Sequence, residues 1–132
     1  MERDVLERWI SSYGESWKRQ NLIGFMELFA DGATYMFTPL NDLMRGKEEI
    51  RRYVESGYAL QKDIEFDHEL LALNPTGGIC RWKAALTWKA TEERVRFDGI
   101  YSVYLNEQRL CYRFDEWWHC TAPVPVEQAP QR

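Results

Sequence analysis

From Val5 to Trp17 the large apolar residues Val5, Leu6, Trp9, Ile10, Tyr13 and Trp17 recur at steps of three and four. That spacing gathers them on one face and predicts an amphipathic helix. Asn21 opens a second, shorter helix in which Leu22, Phe25, Met26 and Phe29 repeat the pattern, and "ADG" at 30–32 is expected to end it, because glycine favours a helix exit. "ATYMFTP" then reads as a short strand with Tyr35 and Phe37 inward, stopped by Pro39. A third helix follows Gly46, burying Ile50, Tyr53, Val54 and Tyr58 while Glu48, Glu49, Arg51 and Arg52 stay in water.

After Lys62 the period changes from about 3.6 to 2, the mark of a switch from helix to sheet. Four long strands are predicted, at Asp63 to Leu73, Ile79 to Ala90, Arg94 to Leu105 and Leu110 to His119, joined by connections suited to antiparallel turns. Ile64, Phe66, His68 and Leu70 share the inner face of the first, and Cys80, Trp82, Ala84, Leu86 and Trp88 that of the second. In the last, Leu110, Tyr112, Phe114, Glu116 and Trp118 share the inner face, and Asp115 and Trp117 the outer one. Three N-terminal helices packed on a strongly curved, mainly antiparallel sheet make an α+β fold.

Composition narrows the function. A chain of 132 residues suits one domain and one core. Its net charge of -4 argues against a nucleic-acid partner. No apolar run approaches the length of a membrane span, and the charged start "MERDVLERWI" is unlike a signal peptide. Cys80, Cys111 and Cys120 lack metal-ligand spacing and cannot all pair with one another, which points to reduced thiols in a cytoplasmic protein without a metal site. The tail "TAPVPVEQAPQR" carries three prolines and is expected to be extended and poorly packed, so the domain is drawn at 1–120 and the tail at 121–132.

The candidate chemistry lies on the inner faces. Glu116 there would lose hydration, raising its pKa toward a value suited to proton transfer; the competing assignment is an ion-pair partner at the rim. His68 is either a proton relay with Glu116 and Tyr13 or a core histidine satisfied by one partner. Tyr13 is either a ligand donor or a core residue with its hydroxyl at the edge. Trp9, Trp17, Tyr35, Phe37, Phe66, Trp82, Trp88, Tyr101 and Tyr112 exceed what a small core needs, and around a void they would suit a flat, apolar, ring-containing molecule. Without a phosphate-cradling glycine loop or a nucleophile motif, the expected chemistry is cofactor-free proton transfer.

The order of elements, with "FMELFADGATY" at 25–35, "RGKEEIRRY" at 45–53, "FDGIYSVYL" at 97–105 and "FDEWWH" at 114–119, resembles the nuclear transport factor 2-like superfamily over about residues 4 to 120. This cone-shaped fold includes ketosteroid isomerase, scytalone dehydratase, limonene epoxide hydrolase and the SnoaL-like polyketide cyclases. The resemblance puts Tyr13 at the isomerase's oxyanion-binding tyrosine, but Phe37 and Gly99 where its two aspartates would fall. It puts Glu116 at the last-strand aspartate of the epoxide hydrolase, whose other two triad positions fall near Trp82 and Ala84. Of scytalone dehydratase's pocket histidines, only His68 has a counterpart.

Two functions stand at this stage. One is binding of a small apolar ring-containing molecule, with isomerase, dehydratase or cyclase chemistry at Glu116, His68 and Tyr13. The other is a non-catalytic ligand carrier or protein-interaction module. A homodimer is expected through the outer sheet face, where Ile79, Ile100, Tyr104, Cys111 and Trp117 fall, and through which the family commonly pairs.

Overall fold

The computed structural model describes residues 1–125. Three helices, α1 (Arg3–Arg19), α2 (Leu22–Met26) and α3 (Lys47–Leu60), accompany six strands. The strands are β1 (Phe29–Met36), β2 (Met44–Arg45), β3 (Gln61–Asn74), β4 (Gly77–Trp88), β5 (Arg94–Leu105) and β6 (Cys111–Cys120). They form one sheet in the order β2-β1-β6-β5-β4-β3, antiparallel except where β1 runs parallel to β6. Shifts of register within β3 and between β5 and β6 bend the sheet, as bulges do, and α1 lies across its concave face. Among the described residues no helix is long and apolar enough to cross a membrane.

Helix α1 forms as its periodicity predicts, burying Val5, Leu6, Trp9, Ile10, Tyr13 and Gly14. Gln20 ends it in the left-handed conformation, and its side-chain amide donates to the carbonyls of Tyr58 and Gln61, tying the helix to the α3–β3 junction. Gly14 is where α1 meets the sheet: a Cβ there would stand 2.2 Å from Phe66 Cδ1. Asn21 caps α2, accepting from the Gly24 N–H at 3.0 Å.

Three expectations change. "ADG" does not end a helix: α2 stops at Met26, and β1 has begun by Phe29, which is fully buried opposite Cys111. The register of β1 against β6 slips between Phe29 and Thr34, so Asp31 and Gly32 are carried on the surface of a strand. On β6 the pairing runs Tyr104 to Arg113 and then Leu105 to Cys111, making Tyr112 an extra residue. It faces outward at 38% exposure against Tyr104, while Cys111, expected outside, is fully buried. Lastly, the start of the tail is not free of the fold, since Ala122 and Val124 pack against the core. The rest of the predicted tail lies outside the described residues.

Candidate functional site

Between α1, α3 and the concave sheet lies a cavity of about 60 Å³. Tyr13 reaches it from α1, Tyr53 and Tyr58 from α3, Tyr35 from β1, and Phe37 from just beyond β1. Trp82 and Trp88 of β4, Phe97 of β5, and Glu116 and Trp118 of β6 complete most of the sheet side. Trp17 and Gln61 also line it, held together by Nε1–H donation to Oε1 at 2.8 Å. Trp118 donates to the Phe37 carbonyl at 2.8 Å, fixing Phe37 although it lies outside any strand. Among the described residues Glu116 is the only carboxylic acid in the wall, and no lysine, arginine or histidine lines it.

Alternation along β6 brings Glu116 and Trp118 into this wall and leaves Trp117 44% exposed on the other face. Asp115 also belongs to that face, buried beside Arg113, which donates to it at 2.9 Å. Glu116 has no such cation. The residue is 4% exposed, and its Oε2 is buried without a hydrogen-bond partner. Burial raises its pKa to about 8, with the Tyr35 hydroxyl pulling the other way. At pH 7 the group is therefore mostly the neutral acid, able to donate a proton.

Three tyrosine hydroxyls surround this acid. Tyr13 and Tyr35 share a hydrogen bond of 2.9 Å, and Tyr101 is the register neighbour of Glu116 across β5 and β6. Burial, reinforced by the nearby Glu116 charge, raises all three well above the ordinary tyrosine value, so they remain protonated donors. The Tyr101 hydroxyl and the indole N–H groups of Trp82 and Trp88 are buried with no partner of hydrogen-bonding geometry. Unpaired buried polar groups are uncommon, and of these three residues Trp82 and Trp88 line the cavity.

The sequence matches the SnoaL-like domain over residues 10–112. The chain belongs to the SnoaL-like domain family. No curated protein matches it. Among solved structures it is similar to the epoxide hydrolase/cyclase-like enzyme SalBIII, which has a role in pyran ring formation in the polyether salinomycin (14% identity, TM-score 0.79, covering 89% of this chain and 93% of that one). It is also similar to a Mycobacterium tuberculosis protein in complex with estradiol-17β-hemisuccinate (13%, 0.75, 89% and 98%). A Δ5-3-ketosteroid isomerase from Mycobacterium sp. is a third such structure (12%, 0.75, 87% and 93%). At these identities the likeness concerns the fold.

This SnoaL-like domain separates several residues that the sequence groups together. His68 does not meet Glu116. It turns to the rim of α1, where Nε2 and Glu7 Oε1 are 2.5 Å apart. Trp9 packs behind the cavity, stacked on Tyr13 and donating to the Leu28 carbonyl at 3.0 Å. Tyr112 faces outward because of the bulge, so neither it nor Trp9 lines the cavity. Phe66 and Tyr101 form a second layer, with ring centroids 5.9 and 5.3 Å from Tyr13. Gly99 is closed to any side chain, since a Cβ would stand 2.1 Å from the Trp117 carbonyl oxygen. Tyr53, Tyr58, Gln61 and Val124 are lining residues the sequence reading did not assign; for the two tyrosines the helical spacing carried the signal, for Gln61 and Val124 nothing did.

Proposed function

We propose that this domain binds a small, largely apolar, ring-containing molecule bearing a neutral oxygen, with Glu116 as the acid/base group of a cofactor-free isomerase-, dehydratase- or cyclase-type reaction. The observation carrying the proposal is a fully buried carboxyl with an unpaired oxygen, set in an aromatic wall that offers no countercharge. As the neutral acid, Glu116 donates to a ligand oxygen beside the Tyr13 and Tyr35 hydroxyls. As the carboxylate, it removes a proton from carbon adjacent to that oxygen and can return it elsewhere. Tyr13 and Tyr35 serve as donors to the developing oxyanion. Anionic ligands are disfavoured, because the wall supplies nothing to pair with their charge. The solved relatives are consistent with the reading, one having a role in ring formation, one holding a steroid-derived ligand and one named an isomerase.

A direct test uses 2-tetralone, a ring ketone with exchangeable protons beside its carbonyl. The protein should accelerate their exchange for deuterium in D₂O, with a rate that rises through about pH 8 as Glu116 ionises, and Glu116→Gln should abolish the acceleration. The second function is a ligand carrier, which would hold the same molecule in this cavity without reaction. Binding of 2-tetralone without faster exchange would select it.

A homodimer through the outer sheet face is part of the same proposal. Ile79, Ile100 and Tyr104 are half-buried there, and Trp117 is exposed, beside the Arg81–Asp98 ion pair. Light scattering should give twice the chain mass, and Trp117→Lys should shift it toward the monomer. All three cysteines are free, which is compatible with a reducing, cytoplasmic setting.

A further inference from the structure

A dry cavity that seats benzene has a volume on the order of 150 Å³, whereas this one has about 60 Å³. A ring therefore enters only if part of the wall yields, and the parts are not equally anchored. Most lining residues belong to helices or to sheet ladders. Two do not, Phe37 and Val124. The Phe37 carbonyl is held by the Trp118 indole. Val124 lies in the segment that follows β6, where the pairing with β5 gives out. Thr121 makes its attachments through its N–H to the Arg96 carbonyl and its Oγ1 from the Arg96 N–H, both 3.0 Å. Pro123 and Pro125 then flank Val124, and neither has an N–H with which to join a ladder. The chain nevertheless turns back so that Ala122 and Val124 pack against the core, with Val124 in the cavity wall.

We propose that Val124 occupies the outer part of the cavity as an internal stand-in for the ligand's own apolar end, and that a ligand binds by expelling it. This rests on the reading of the cavity as a ligand site. The group that takes the vacated seat is apolar and compact, a ring edge or a short branched alkyl group, while the ligand oxygen goes to Glu116. Full burial of a valine side chain corresponds to roughly a tenfold to hundredfold preference. Val124 is half-buried, so the closed tail is favoured by about tenfold, little enough for a ligand to overcome. The mature wall of the site would then include the ligand in place of the tail, and affinity would be set by competition between the two.

The test uses the full chain and 2-naphthol, a neutral two-ring probe with one oxygen. Carbon-13 signals of the Val124 methyls and the Glu116 carboxyl are followed during titration, for the unaltered protein, Val124→Gly and Val124→Ile. Displacement predicts that Val124 and Glu116 signals move with one saturation curve, that Val124→Gly binds about tenfold more tightly, and that Val124→Ile binds no better than the unaltered chain. A Glu116 signal that responds while the Val124 methyls stay put, with unchanged affinity in Val124→Gly, overturns the displacement and leaves the ligand site standing. If neither signal moves in any of the three proteins, the ligand site falls and the displacement with it.

Discussion

Glu116 and Glu7 are two glutamates of one small protein that meet opposite fates. Glu7 lies at the rim of α1, its side chain 42% exposed, and pairs with His68. Water reaches the Glu7 side of that pair, which weakens what the contact adds to the fold. Glu116 is buried with aromatic neighbours and no cation, and its pKa rises to about 8. The difference teaches that burial without a cation, and not the carboxyl group as such, is what moves a glutamate toward the neutral acid. Asp115, next along the strand, is buried too but accepts a hydrogen bond from the Arg113 guanidinium. At Glu116 no such cation is supplied, and the fold bears the penalty.

The largest effect expected from breaking this contrast is on stability against pH. The folded-state pKa of Glu116 is raised, so between the ordinary carboxyl value of 4.5 and about 8 the native state holds a proton that the unfolded chain has lost. Stability falls as pH rises through that window, by up to about 5 kcal/mol, and is flat above it. Glu116→Gln removes the slope. Urea unfolding should show the variant about 3 kcal/mol more stable than the unaltered protein at pH 7 and nearly equal to it near pH 4.5. Parallel stability curves for the two proteins would mean that Glu116 is solvated or paired.

A smaller effect sharpens the same comparison. Tyr35→Phe deletes the hydroxyl that lowers the Glu116 pKa, so the midpoint of the pH-dependent loss should move further up, by about one hydrogen bond's worth, on the order of 1 kcal/mol. A carboxyl carbon-13 titration of Glu116 measures this directly, and a midpoint that fell would exclude Tyr35 as its partner. The smallest effects belong to the rim. His68→Gln and Glu7→Gln should each change stability by less than about 1 kcal/mol and leave the Glu116 titration where it was. A shifted Glu116 titration in His68→Gln would restore the relay that the geometry breaks.

How much of this was legible depends on the range of the forces involved. Helix α1 and the alternation from Phe114 to Trp118 follow from periods of 3.6 and 2, which are local properties of the chain. The inner placement of Glu116 and Trp118 therefore came with the sequence. The same rule failed four residues earlier, at Tyr112, because a bulge inserts one residue and reverses the parity, and a bulge is set by pairing with a distant strand. His68 shows the limit from another side. Its face was right, yet its partner is a helix residue 61 positions away, and no spacing along the chain encodes which acid a histidine will reach.

The sequence by itself determined the α+β class, the three helices, the four long strands, the family and the acid most worth watching, since each rests on patterns a few residues long. Tertiary structure alone decided that β1 runs parallel to β6, that Trp9 and Tyr112 stand outside the cavity, that no cation among the described residues lines the wall beside Glu116, and that Val124 is part of that wall. Those facts depend on which surfaces exclude water from one another, and exclusion is a property of the assembled core.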